Sequence, residues 1–193
     1  VDDHDKDVAT GEDGELLVRF AGPDPRDGFF SGYLKNEDAT EESWQGGWFH
    51  TGDVVRQDDS GMLYFVDRKK NIIRRSGENI AAAEIEAVLQ AHEAVAQAAV
   101  IAVPDELREE EVMACIVAMP GHAANAALAN RLFDWCNGQL AYFKAPGYVL
   151  FRDSLPTTGT QKVQKTELFA AGEDPRTFEG CFDLRELKRK RKK

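Results

Sequence analysis

Apolar residues along this chain change their spacing several times, and each change marks an element. Residues 1–13 are polar and acidic with no period, which predicts a loose lead-in. The run Gly14-Glu15-Leu16-Leu17-Val18-Arg19-Phe20 predicts a strand, and Pro23, Pro25 and Gly28 then break the chain. Asn36 to Trp44 reads as a short acidic helix capped by Asn36 or Asp38. Val54-Val55-Arg56 and Met62-Leu63-Tyr64-Phe65-Val66, joined by Asp58-Asp59-Ser60-Gly61, predict a hairpin. A further strand is expected from Asn71 to Arg75. Beyond it Ile85, Val88, Leu89 and His92 recur at helical spacing, so residues 82–93 form an amphipathic helix.

Strands follow at Ala98–Val103, ending at Pro104, and at Val112–Met119. Asn125 caps a helix whose apolar stripe includes Leu128, Leu132 and Trp135. Tyr148–Phe151 is the next strand, and Lys165–Ala171 reads as a terminal helix. Helices alternating with strands of mixed connection predict an α+β protein. Its second part is a small domain, 68–175, with helices over a three-stranded sheet. Residues 1–67 are β-rich with one helix and resemble the end of something larger, and 176–193 form a tail with a basic end.

Composition narrows the functional classes. With 42% hydrophobic and 30% charged residues the chain is globular rather than disordered. No apolar run approaches the ~20 residues of a membrane span, and no charged-apolar-small leader opens the chain, so a cytoplasmic location is expected. Cys115, Cys136 and Cys181 are widely spaced and odd in number, which argues against a disulfide framework or a zinc site. His4, His50, His92 and His122 lack metal-ligand spacing, so no metal site is expected. The net charge is −10, although residues 188–193 are all Lys or Arg; the acidic body argues against nucleic acid as a partner. Lacking aromatics and an amphipathic pattern, the basic run reads as a solvated, frayed end.

Four segments, in order, carry a resemblance. They are Gly47-Trp48-Phe49-His50-Thr51-Gly52-Asp53, then Asp67-Arg68-Lys69-Lys70-Asn71-Ile72-Ile73-Arg74-Arg75-Ser76-Gly77-Glu78-Asn79-Ile80, then Ala83-Glu84-Ile85-Glu86, and Leu155-Pro156-Thr157-Thr158-Gly159-Thr160-Gln161-Lys162-Val163-Gln164-Lys165. Together they resemble the carboxyl-terminal third of the adenylate-forming superfamily: acyl-CoA synthetases, peptide-synthetase adenylation domains and luciferases. The second segment looks most like acyl-CoA ligases of the crotonobetaine/carnitine or fatty-acid type. The resemblance implies activation of a small-molecule carboxylic acid by ATP, with Mg²⁺, to an acyl-adenylate, followed by transfer to CoA.

Site residues follow from the same match. Asp53 would grip the ribose hydroxyls, helped by Arg68, whose guanidinium fork suits ribose and phosphate oxygens better than a lysine. Thr51 lies in the loop that the family sets against the nucleotide. Lys70 matches the hinge between two catalytic poses. Gly77, Glu78 and Asn79 match the loop that helps form the CoA pantetheine tunnel. Lys162 matches the lysine that closes over the reacting phosphates, with Lys165 as the alternative, and Gln161 stands where the family has glycine. Phe143-Lys144-Ala145-Pro146 matches a segment expected to pack a strand. Glu84 and Glu86, in a first helical turn, have a capping rationale and are not expected to be catalytic.

The family's phosphate loop, a Ser/Thr/Gly-rich run ending in Pro-Lys, is absent from this chain. The missing amino-terminal domain of the same enzyme is therefore the implied partner, it would hold the Mg²⁺ site, and these residues alone are expected to be inactive. Two alternatives stay open: an adenylation domain loading a carrier protein, and a non-catalytic stand-alone binding domain.

Overall fold

The computed structural model describes residues 1–190, with side chains described through Lys188. The chain divides into two compact units at the Lys70–Asn71 bond.

In the first unit, strand β1 (Asp13–Val18) pairs antiparallel with the long strand β3 (Trp48–Gln57). Strand β3 also pairs with the two-residue β2 (Trp44–Gln45) and, on its other side, with β4 (Leu63–Arg68). Asn36 caps helix α1 (Glu37–Glu42) by accepting from the Ala39 amide, as the sequence suggested. Small aromatic contacts hold this region: Trp44 stands edge-on to Phe29 at 5.2 Å and lies 5.5 Å from Phe49. The lead-in is not loose. The Glu15 amide donates to the Val1 carbonyl and the Gly11 amide to that of Gln57, because the strands leave a donor and an acceptor that a polar segment can satisfy. On β4, Leu63, Tyr64 and Phe65 are all exposed, Phe65 at 63%.

The second unit is built on one central strand. Strand β8 (Glu109–Ala118) pairs antiparallel with β7 (Val95–Asp105) over its whole length and parallel with β9 (Tyr148–Phe151). The sequence predicts these three strands and also β5 (Ile72–Arg75); β6 (Glu78–Ala81) and β10 (Cys181–Asp183) were not foreseen, and the sheet has six strands rather than three. Both faces of β8 are covered, which is why Val112 to Val117 reads as an unbroken apolar run. Val112, Ala114 and Ile116 face helices α2 (Ala82–Gln90) and α3 (Ala126–Gln139), packing with Ile85, Leu89, Leu132 and Phe133. Met113 and Cys115 face the other way, against Tyr148, Leu150, Leu155 and Leu168. Burial of each such side chain contributes roughly 1.5–3 kcal/mol. Burial also pushes the Cys115 and Cys136 thiols up to about 12, so both act as inert filler.

Some expectations change. Asn125 does cap α3, but Trp135 lies at the margin of its stripe, donating to the Val88 carbonyl at 2.8 Å and standing edge-on to His92. The helix expected at Lys165–Ala171 is only a 3₁₀ turn, Lys165–Glu167. Leu168 turns into the core, Glu173 takes the Ala170 amide, and Gly172 at φ +86° reverses the chain.

The segment read as a tail is structured as far as it is described. It adds β10, and helix α4 (Arg185–Lys190) follows. Lys188 is buried rather than solvated: it binds the buried Glu111, which also receives Arg75 Nε at 2.8 Å. A Cβ on Gly147 would come within 2.5 Å of the Glu111 carboxyl, so only glycine lets that carboxylate pass the backbone. Residues 191–193 of the basic run lie outside the described residues.

Candidate functional site

Three expected nucleotide-binding residues meet on adjacent strands of the first unit. Asp53 on β3 sits opposite Arg68 on β4, with Arg68 Nε 2.9 Å from Asp53 Oδ1. Arg68 Nη1 also donates to the Thr51 carbonyl at 2.9 Å. The Thr51 hydroxyl donates to the Leu16 carbonyl and accepts the Asp53 amide. Gly52 between them takes φ +70°, a left-handed conformation that lets this stretch bend within a strand. Both side chains of the pair keep solvent access, about half for Arg68 and a third for Asp53. A carboxylate open to water and already fixed by a guanidinium can accept hydroxyl donors in the plane it leaves free.

Glu15 organises this corner, and the sequence reading did not single it out. It lies buried on β1, where Oε1 accepts the Gly52 amide at 3.1 Å. Its Oε2 takes Lys69 Nζ at 2.7 Å and lies 3.3 Å from His50 Nδ1. Burial is the largest influence and works against the charge, yet the hydrogen bonds from Lys69 and His50 still hold its carboxyl below the usual carboxylate range. A glutamate directly before the apolar run Leu16-Leu17-Val18 was the available signal.

Lys70 is exposed, within the 3₁₀ turn Lys69–Asn71 where the two units divide. The loop expected at 76–79 is tighter than anticipated. Ser76 and Gly77 have φ of +52° and +82° and form a two-residue turn, while Glu78 and Asn79 already pair with Arg75 and Arg74 as part of β6.

Lys162 lies on an exposed hairpin closed by a Thr157–Val163 bridge, with the Thr158 amide donating to the Lys162 carbonyl. Gln161 takes φ +65°, the left-handed position of that turn, which explains why glycine suits it; the glutamine is strained there by about 1 kcal/mol. Among the described residues the Lys162 ammonium makes no hydrogen bond or ion pair. Lys165 differs, because its Nζ pairs with Glu86 Oε1 at 2.8 Å. Of the two candidates, Lys162 is the lysine with a free charge to offer. No group of three or more His, Cys, Asp or Glu arranged to hold a metal occurs among the described residues, and no helix among them is long and apolar enough to cross a membrane.

Residues 84–162 match the AMP-binding enzyme C-terminal domain family. Crotonobetaine/carnitine–CoA ligase of Proteus mirabilis is 38% identical over 168 residues, covering 86% of this chain and 31% of the relative. Among solved structures, o-succinylbenzoate CoA synthetase of Bacillus subtilis, bound to its acyl-adenylate OSB-AMP, matches with a TM-score of 0.69 and 34% identity; 86% of this chain and 32% of that one are covered. An anthranilate CoA ligase in complex with anthranoyl-AMP gives a TM-score of 0.71 at 31% identity, covering 87% and 31%. The chain thus aligns with the carboxyl-terminal part of acyl-CoA ligases and spans about a third of their length.

Proposed function

We propose that this chain is the carboxyl-terminal portion of an ATP-dependent acyl-CoA synthetase. In the first half-reaction a substrate carboxylate oxygen attacks the α-phosphorus of ATP, the bond to pyrophosphate breaks, and acyl-AMP forms. In the second, the CoA sulfur attacks the acyl carbonyl, the bond to AMP breaks, and the thiol proton passes to solvent.

Each residue has a task in this scheme. Asp53 accepts the ribose hydroxyls, and Arg68 holds that carboxylate and faces the phosphate side. Thr51 sets the strand's bend. Lys162 brings its ammonium to the crowded phosphate and carboxylate oxygens of the first half-reaction. A charge placed there in advance contributes ~3–4 kcal/mol to such a step. Lys70 is the pivot of a mobile domain, consistent with its solvated side chain at the division between units. The Ser76–Gly77 turn, with Glu78 and Asn79, serves the CoA step. Mg²⁺ enters with ATP, and no residue of this chain is assigned to it. The cytoplasm supplies ATP and CoA and keeps the three free cysteines reduced.

One observation carries the reading: Asp53, Thr51 and Arg68 converge by direct contacts on a solvent-open corner, within a chain whose matched domain belongs to AMP-binding enzymes. It is tested by assaying the full-length protein for pyrophosphate exchange across a panel of carboxylic acids, with and without CoA. Acid-dependent exchange without CoA and thioester on its addition are expected, with no turnover by residues 1–193 alone. Acid-independent or absent exchange overturns the reading, and transfer to a carrier-protein thiol but not to CoA redirects it.

A further inference from the structure

Glu86 lies on α2 and has no task in the scheme above, yet its carboxylate is held with more care than a solvated face requires. Its Oε1 accepts the Val100 amide at 2.7 Å and pairs with Lys165 Nζ at 2.8 Å. Both side chains of the pair are only about one-fifth exposed. Val100 belongs to β7, which among the described strands pairs only with β8, so Glu86 takes a donor that the sheet leaves over. The carboxylate is thereby pinned between a helix and a strand before Lys165 reaches it. A charge pair with one partner already immobilised loses less side-chain entropy than an ordinary surface ion pair.

Lys165 stands at the base of the Lys162 hairpin. That hairpin is anchored at both ends in one apolar cluster, by Leu155 before it and Leu168 after it. Between these anchors the chain is held by the Thr157–Val163 bridge, the Gln164 amide on the Pro156 carbonyl and the Gln161 amide on that of Thr158. The backbone contacts are internal to the hairpin, while Val163 rests against the same apolar cluster through packing that is non-directional. The Glu86–Lys165 pair adds a directional link, since it joins the base to α2 and β7 two residues beyond the bridge.

We infer that Glu86 is a positioning residue for Lys162, acting through Lys165 to set the aim of the hairpin. This rests on the assignment of Lys162 to the adenylation step. It also gives Lys165 a definite role, as the tether's other half rather than a second catalytic lysine. Misplacement by about 1 Å can slow a preorganised reaction by up to ~100-fold, so loss of a tether one hairpin away should be felt.

The test uses the full-length protein. Glu86→Gln keeps an oxygen for the Val100 amide but removes the charge, and Lys165→Met removes the partner. Each should lower kcat for pyrophosphate exchange about tenfold, with KM for ATP and conversion of preformed acyl-AMP to acyl-CoA little changed. The double variant should be no slower than either single one, because both break the same contact. Exchanging the charges, Glu86→Lys with Lys165→Glu, should recover part of the rate. Amide hydrogen exchange at Gln164 and Thr158 should quicken in both single variants. Additive losses, equal losses in both half-reactions, or unchanged exchange kinetics would overturn the tether. Lys162→Ala, run alongside, separates the two ideas. If it exchanges pyrophosphate normally, the catalytic assignment fails and the tether's role falls with it. If it is inactive while Glu86→Gln is normal, only the tether fails.

Discussion

Arg68 and Asp53 face each other across β3 and β4, and the guanidinium Nε rests 2.9 Å from the carboxylate Oδ1. The guanidinium holds one side of the carboxylate, and about a third of the Asp53 side chain stays open to solvent. Asp53→Asn keeps the shape and removes the charge. Hydrogen bonds to charged groups contribute about 1.5–3 kcal/mol, so nucleotide and acyl-adenylate should bind the full-length variant roughly 10- to 100-fold more weakly. Calorimetric titration with ATP and a non-hydrolysable acyl-AMP analogue checks this, and unchanged affinity for both would remove Asp53 from the site.

Lys162→Ala should slow adenylation by ~100–1000-fold, the range for loss of one charge-stabilising donor. Conversion of preformed acyl-AMP to thioester should be largely spared. The two half-reactions are measured separately, and an equal loss in both would count against the assignment. A larger loss for Lys165→Ala would transfer the role to that residue.

Lys70→Pro fixes φ near −65° and removes an amide donor in the turn where the units divide. One pose should be trapped, with adenylation retained and acyl-AMP accumulating. Thioester formation should fall by roughly 100-fold, the scale for misplaced reacting groups. Near-normal rates for both steps in rapid-quench measurements would show that the pivot lies elsewhere.

The buried cluster in the second unit gives a pH prediction. Burial, against the attraction of Glu111, pushes Lys188 down to about 8 from its ordinary 10.5. Below pH 8 the ammonium is charged whether the chain is folded or not, and the fold bears the full penalty of burying it. Between about 8 and 10.5 the folded chain releases this proton while the unfolded chain keeps it, so the contribution to stability rises with pH. Denaturant unfolding of wild type and Lys188→Met should therefore converge or cross as pH rises through that window. Lys188→Met leaves Glu111 paired with Arg75 and should change stability by no more than about 1.5 kcal/mol. Glu111→Gln strands two buried cations and should destabilise by about 3–5 kcal/mol. Equal effects for the two variants would deny the cluster its charge balance.

Elements with a strong period were legible in the sequence: α2 from Ile85 and Leu89, α3 from Leu128 and Leu132, and β8 from its doubly covered apolar run. The Thr51, Asp53 and Arg68 corner was picked out by the family resemblance, and the pairing of β3 with β4 is what brings the three residues to one place. Local rules misled where tertiary contacts overrode them. Lys165–Ala171 has helical composition, but Leu168 has an apolar site to fill and Gly172 ends the stretch. Lys188 sits in a basic run that reads as solvated, and only the fold brings it to a glutamate 77 residues earlier. Glu15 and Glu86 look like surface charges for the same reason, because their partners are distant along the chain. A carboxylate advertises its partner only when that partner is near in sequence.

Arg75, at the end of the second unit's first strand, and Lys188, in its last helix, fasten on the same carboxylate of the central strand. In mechanical terms the unit is a clasp, with both ends hooked to a single post. The strand that leaves residue 71 meets that post at Arg75, so the unit's first strand and last helix are fastened to its sheet at one point.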